Sequence, residues 1–167
     1  MAIKMFQDTM MRVRYSSIPV ISAPHGMALG GGCEVSIHAD KMVAAAETYI
    51  GLVEVGVGLI PGGGGSKEFT RRAMMNLLKD DVKVNHLRDY FMNIATAKVA
   101  TSAYEAKNMG IVRDQDVIVV NTDRQIAEAK KQAILLAEAG YTQPVREKIR
   151  VLGREAMGTV SYTHLRA

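Results

Sequence analysis

Two glutamates stand out by their settings. Glu34 follows the run Gly30-Gly31-Gly32-Cys33, and Glu54 sits inside Gly51-Leu52-Val53-Glu54-Val55-Gly56. Carboxylates in different surroundings can divide acid and base work, each contributing about 10²–10⁴-fold to a rate. The three glycines bring bare backbone N–H groups to a helix start, where the first amides lack intrahelical acceptors. Such a terminus carries partial positive charge and favours anionic oxygen. A thioester carbonyl placed there would have its developing charge stabilised, one preformed donor being worth about 2.7–4 kcal/mol. The apolar neighbours of Glu54 would raise its pKa if the carboxyl is buried. Two carboxylates with an oxyanion donor between them suit the addition of water across an activated double bond. Taken singly, each piece also has a plainer reading, as tight packing before a helix or as a carboxylate paired with Lys or Arg.

The elements that must hold these residues are legible from periodicity. Ile3, Phe6, Met10 and Val13 recur at helical spacing, so residues 2–15 are predicted as an amphipathic helix. Ser16-Ser17-Ile18-Pro19 ends it, because the residue before proline is pushed out of the α region. Short apolar runs at Val20–Ala23, Met42–Ala46 and Val117–Val120 are predicted strands, and Cys33–His38 has helical character. Tyr49–Gly65 holds seven glycines and is expected to be a loop whose backbone passes close to something. Helices are predicted at Ser66–Leu78, Asn85–Ala97 and Thr122–Ala139, with a capping box at Ser102-Ala103-Tyr104-Glu105 and a C-cap at Gly110. Strands alternating with helices make the class α/β.

Composition excludes several functions. The 167 residues are 48% hydrophobic and 23% charged, enough to bury a core, and the 11 Met residues are expected to fill it. A net charge of +4 is spread along helices (Lys130-Lys131, Arg146, Lys148, Arg150), and no stacking aromatics are interleaved with it. Nucleic acid is not an expected partner. One cysteine, Cys33, excludes an internal disulfide and suits a reducing, cytoplasmic compartment; its bland role is packing. No stretch approaches the roughly 20 apolar residues needed to span a bilayer, so no membrane is expected. His25, His38, His86 and His164 lack metal-ligand spacing, so no metal is expected. Gly65-Ser66-Lys67-Glu68 does not follow the order of a phosphate-binding Gly-Lys-Ser/Thr loop, and Gly56-Val57-Gly58 lacks the third glycine of a dinucleotide fingerprint.

The string Pro19-Val20-Ile21-Ser22-Ala23-Pro24-His25-Gly26-Met27-Ala28-Leu29-Gly30-Gly31-Gly32-Cys33-Glu34 resembles the signature of the enoyl-CoA hydratase/isomerase (crotonase) family. The likeness continues through His38-Ala39-Asp40, Gly51-Leu52-Val53-Glu54, Gly58-Leu59-Ile60-Pro61-Gly62-Gly63-Gly64-Gly65 and Ala103-Tyr104-Glu105-Ala106. It implies a crotonase-like ββα spiral, of which residues 1–120 would be the C-terminal half, truncated at its N-terminus. Residues 121–160 would be a following helical region, and 161–167, which depart from the pattern, a non-native tail. The resemblance further implies that Glu34 and Glu54 hold and activate water. The Gly31 amide would be one of two oxyanion donors, and the Gly62 backbone would help place the water. Two glutamates imply a hydratase; double-bond isomerisation and an inactive or oligomer-forming module are the alternatives. The form of the match resembles bacterial bifunctional 3-hydroxyacyl-CoA dehydrogenases that carry a crotonase module. The implied partners are an acyl-CoA substrate, the missing N-terminal half of the module and a possible second copy of the chain. No cofactor is implied in this segment, NAD entering only with a fused dehydrogenase domain.

Overall fold

A computed structural model of the chain describes residues 2–75, 83–149 and 151–153. Its elements are α1 (Ala2–Arg14), β1 (Ile21–Ser22), β2 (Met27–Leu29), α2 (Gly31–His38), β3 (Lys41–Ala45) and β4 (Tyr49–Gly51), followed by a 3₁₀ turn at Glu54–Val57. Next come α3 (Gly65–Met75), α4 (Lys83–Ala95), α5 (Ala103–Asn108), β5 (Val117–Val119), a 3₁₀ turn at Thr122–Arg124 and α6 (Gln125–Glu138). The class is α/β, as the alternation predicts.

The chain winds as a spiral. β1, β3 and β5 form one parallel sheet in that order, and β2 and β4 form a second parallel pair. Parallel neighbours need a crossover, and α2 supplies it. One circuit later the chain lays β3 on β1, with Ile21 opposite Lys41, and β4 on β2, with Met27 opposite Tyr49. Helix α6 then packs back on β3 and β1. Its buried Gln125 donates through Nε2 to the carbonyls of Pro24 at 2.9 Å and Val43 at 2.8 Å.

Two segments differ from the sequence reading. Met27–Leu29, for which the sequence reading names no element, is strand β2, and Tyr49–Gly51, read as the start of a loop, is strand β4. Backbone pairing needs no side chain, so glycine density does not forbid a strand that has a partner on each side. β4 has both, since Ile50 also bridges Ala100 antiparallel. Helix α3 is described to Met75; the predicted remainder to Leu78 lies outside the described residues. At the capping box, Ser102 accepts from the Glu105 amide at 3.1 Å, but the Glu105 carboxylate turns to the Thr101 amide instead of closing the box.

The core gathers Cys33, Ile37, Met42, Ile50, Leu52, Phe69 and Ile111. Methionine is divided: Met10, Met42 and Met109 are core, whereas Met5, Met27, Met75 and Met92 are exposed, so fewer of them fill the core than expected. The scattered-charge reading also misses a buried hub. Glu68, on α3, is fully buried and takes Arg71 at 2.6 Å, Arg72 at 3.5 Å, Lys67 at 3.9 Å and Arg14 at 4.0 Å. Arg72 also donates to the carbonyls of Ile37 and Ile111, each at 2.8 Å, so α2, α3 and the turn after α5 share one polar knot. Among the described residues no helix is long and apolar enough to cross a membrane.

Candidate active site

Both glutamates hang from the C-terminal ends of one strand pair. β2 and β4 run side by side in parallel, Leu29 opposite Gly51. Just past β2, Gly30 turns the chain into α2 with φ 53°, a left-handed value at which a side chain is strained. Its N–H donates to the Gly51 carbonyl at 2.9 Å, clamping the two strand ends together. Glu34 lies one helical turn beyond Gly30, and Glu54 opens the 3₁₀ turn just beyond Gly51. The 20-residue separation of the glutamates therefore reflects one circuit of the spiral.

Their environments differ. The Glu34 side chain is buried and its Oε1 accepts the Gly65 amide at 2.8 Å, so it caps the N-terminus of α3 from another helix. Burial pushes the Glu34 carboxyl upward; the amides of Gly65, Gly63 and Gly64 pull it down, while the charge of nearby Glu54 adds to the rise, which prevails. Glu54 has no such cradle. Both of its carboxylate oxygens are buried with no hydrogen-bond partner on the protein, so their acceptor capacity is left for a proton donor from outside the chain. The carboxylate lies over Gly30, where a β-carbon would come within 3.4 Å of Glu54 Oε1.

Gly31 opens α2, so its N–H is among the first-turn amides that no intrahelical carbonyl can take. Gly62 is placed differently from the other three. Its carbonyl accepts Gln7 Nε2 of α1 at 2.7 Å, and a β-carbon there would meet Ile3 Cδ1 at 3.0 Å. Gly62 thus ties α1 to the turn whose next three residues hold Glu34. Cys33 is packed in the core, and burial pushes its thiol far up, which leaves no thiolate nucleophile. His38, one turn beyond Glu34, is wholly buried with Nδ1 2.6 Å from the Glu34 carbonyl. Burial lowers its pKa to about 4, so the ring is neutral near pH 7.

Two contributors were not singled out in the sequence. Gly63 carries no side chain because a β-carbon there would overlap both Phe6 Cε1 and Glu34 Oε2. Phe6 itself was legible only as one apolar residue on a helix face. Gly63→Ala is accordingly expected to displace Phe6 or Glu34 and cut turnover by about tenfold or more. Thermal melting with a turnover assay would check it, full activity being the contrary result.

Residues 2–143 match the profile of the enoyl-CoA hydratase/isomerase family. The chain belongs to that family. It is 46% identical over 151 residues to the "Probable 3-hydroxyacyl-CoA dehydrogenase" of Bacillus subtilis (strain 168), covering 90% of this chain and 19% of that protein. A short-chain-enoyl-CoA hydratase of Clostridium acetobutylicum is 43% identical over 61 residues, covering 36% of this chain and 23% of that one. Among solved structures, the enoyl-CoA hydratase of Bacillus anthracis superposes with a TM-score of 0.62 at 31% identity, covering 81% of this chain and 46% of that one. The fold is thus the crotonase spiral of the hydratases. This family member spans about a fifth of the length of those curated relatives and about half of the solved hydratase.

Proposed function

We propose that the protein carrying this segment hydrates trans-2-enoyl-CoA thioesters to 3-hydroxyacyl-CoA in fatty-acid β-oxidation, within a chain that also bears 3-hydroxyacyl-CoA dehydrogenase activity. The observation that carries this reading is the contrast between the two carboxylates meeting at the β2–β4 ends. One is cradled by helix-start amides, and the other is buried without a partner beside the turn that leads to the Gly31 amide. Contrasting environments separate acid and base roles at one pH.

In this reading Glu34 and Glu54 hold one water between them. One carboxylate takes a proton as the water oxygen bonds to C3, and the other carboxyl gives a proton to C2. The π pair of the C2–C3 double bond becomes the new C2–H bond. Charge accumulating on the thioester oxygen is met by the Gly31 N–H, and a second donor comes from the other half of the module. Gly62 acts by holding the turn that frames the water. Acyl-CoA is the substrate, the site takes no cofactor or metal of its own, and NAD belongs to the dehydrogenase part. The lone free cysteine suits a reducing cytoplasm.

The test is the loss of conjugated-enoyl absorbance when the full-length protein meets a trans-2-enoyl-CoA, with 3-hydroxyacyl-CoA as product. Conversion of a 3-enoyl-CoA to the 2-enoyl isomer without hydration would overturn the reading in favour of isomerisation.

A further inference from the structure

The Glu34 carboxylate has an apolar neighbour that neither catalysis nor capping accounts for. The Phe6 ring, carried on α1, stands against Gly63 on the side where Glu34 Oε2 also lies; a β-carbon at that glycine would overlap both. The same ring reaches the start of α2, where a β-carbon on Gly31 would lie 3.4 Å from Phe6 Cζ. Phe6 therefore fills the space that a side chain would take at both glycines, at the start of α2 and at the turn that cradles the carboxylate. We propose that Phe6 is a positioning residue: its ring walls the Glu34 carboxylate from solvent and forms the apolar side of the cleft beside the Gly31 amide.

Every element packed around Glu34 supplies a different kind of group. The turn after β4 presents the carboxylate of Glu54, and the start of α3 presents the amides of Gly63, Gly64 and Gly65. Along α2 itself the next titratable ring, His38, is held neutral by burial near pH 7. From α1 comes an aromatic face, with no charge. An apolar wall disfavours an ionised carboxyl, because it replaces water that would solvate the charge. Burial is the chief cause of the upward push on Glu34, and Phe6 is a side chain that supplies such burial from outside α2 and α3.

The substitution that removes the ring leaves α1 docked. Met10, one turn on, is buried at 1% exposure, and Gln7 keeps its bond to the Gly62 carbonyl. Phe6 itself is only half-buried.

The inference rests on Glu34 being a catalytic carboxylate, so the test separates the two. In the full-length protein, Phe6→Ala is expected to shift the limb of the rate–pH profile set by Glu34 about one unit lower. Turnover at the optimum should fall about tenfold, while Phe6→Leu, which restores an apolar wall, keeps the limb near its original position. A carbon-13 carboxyl titration reads the same midpoint without turnover. An unmoved Glu34 midpoint in Phe6→Ala, or Phe6→Leu shifting as far as Phe6→Ala, would overturn the role of Phe6. If instead Glu34→Gln keeps full activity, the catalytic reading fails and takes this inference with it.

Discussion

Glu34→Gln or Glu54→Gln in the full-length protein should lower 2-enoyl-CoA hydration by about 10²–10⁴-fold in turnover. The two losses should not add. On the proposed mechanism both groups act on one water, so the double variant should be little worse than the poorer single one. The fold should survive each change. Glu34→Gln retains a side-chain oxygen able to accept the Gly65 amide that the carboxylate now takes at 2.8 Å. Glu54→Gln alters a carboxyl whose two oxygens are buried with no protein hydrogen-bond partner to lose. Its melting temperature should therefore hold or rise while activity is lost, the usual exchange between stability and a strained site. Turnover assays paired with thermal melts check this. Undiminished hydration in either single variant would sink the assigned mechanism.

The second large effect falls on stability, at Glu68. Replacing it with glutamine leaves Arg71, Arg72, Arg14 and Lys67 around an uncharged centre, and loss of one partner of a buried ion pair costs about 3–5 kcal/mol. Burial alone would raise the Glu68 carboxyl, but the Arg71 hydrogen bond and the charges of Arg71, Arg72 and Arg14 outweigh it and hold the pKa at about 2, against 4.5 unperturbed. A depressed carboxyl stabilises the folded state above its unfolded pKa and loses that contribution as pH falls through the folded one. The contribution, roughly 3 kcal/mol, is thus complete above about pH 4.5 and gone below about pH 2. Urea unfolding of wild type and Glu68→Gln at pH 7 and pH 3 should show the gap between them shrinking in acid. A constant gap would mean that the arginines find other partners.

Much of the site was legible before any coordinates. Glycine runs and isolated carboxylates are local features, and the order Gly30-Gly31-Gly32-Cys33-Glu34 carries its own chemistry whatever surrounds it. The helices were legible for the same reason, since helical hydrogen bonds and apolar faces are set within a few residues. Strands β2 and β4 were not. Each is three residues long, too short for alternation to show, and each exists because the other runs beside it. Phe6 was visible as an apolar helix position, but nothing in its neighbours along the chain says that its ring ends at Gly31 and Gly63.

The electrostatic division was the least legible. Nothing in the neighbours of Glu34 along the chain marks its carboxyl for a shift. In the fold burial pushes the Glu34 carboxyl upward where it caps α3, and the two Glu54 oxygens are buried with no protein hydrogen-bond partner. Likewise Arg14 and Glu68 lie 54 residues apart in the chain and meet only because α1 and α3 are brought together. By itself, then, the sequence determined which groups can do chemistry and the family whose pattern they follow. The tertiary structure alone decided which groups face one another and how each carboxylate is solvated, because burial and proximity depend on contacts between residues distant along the chain.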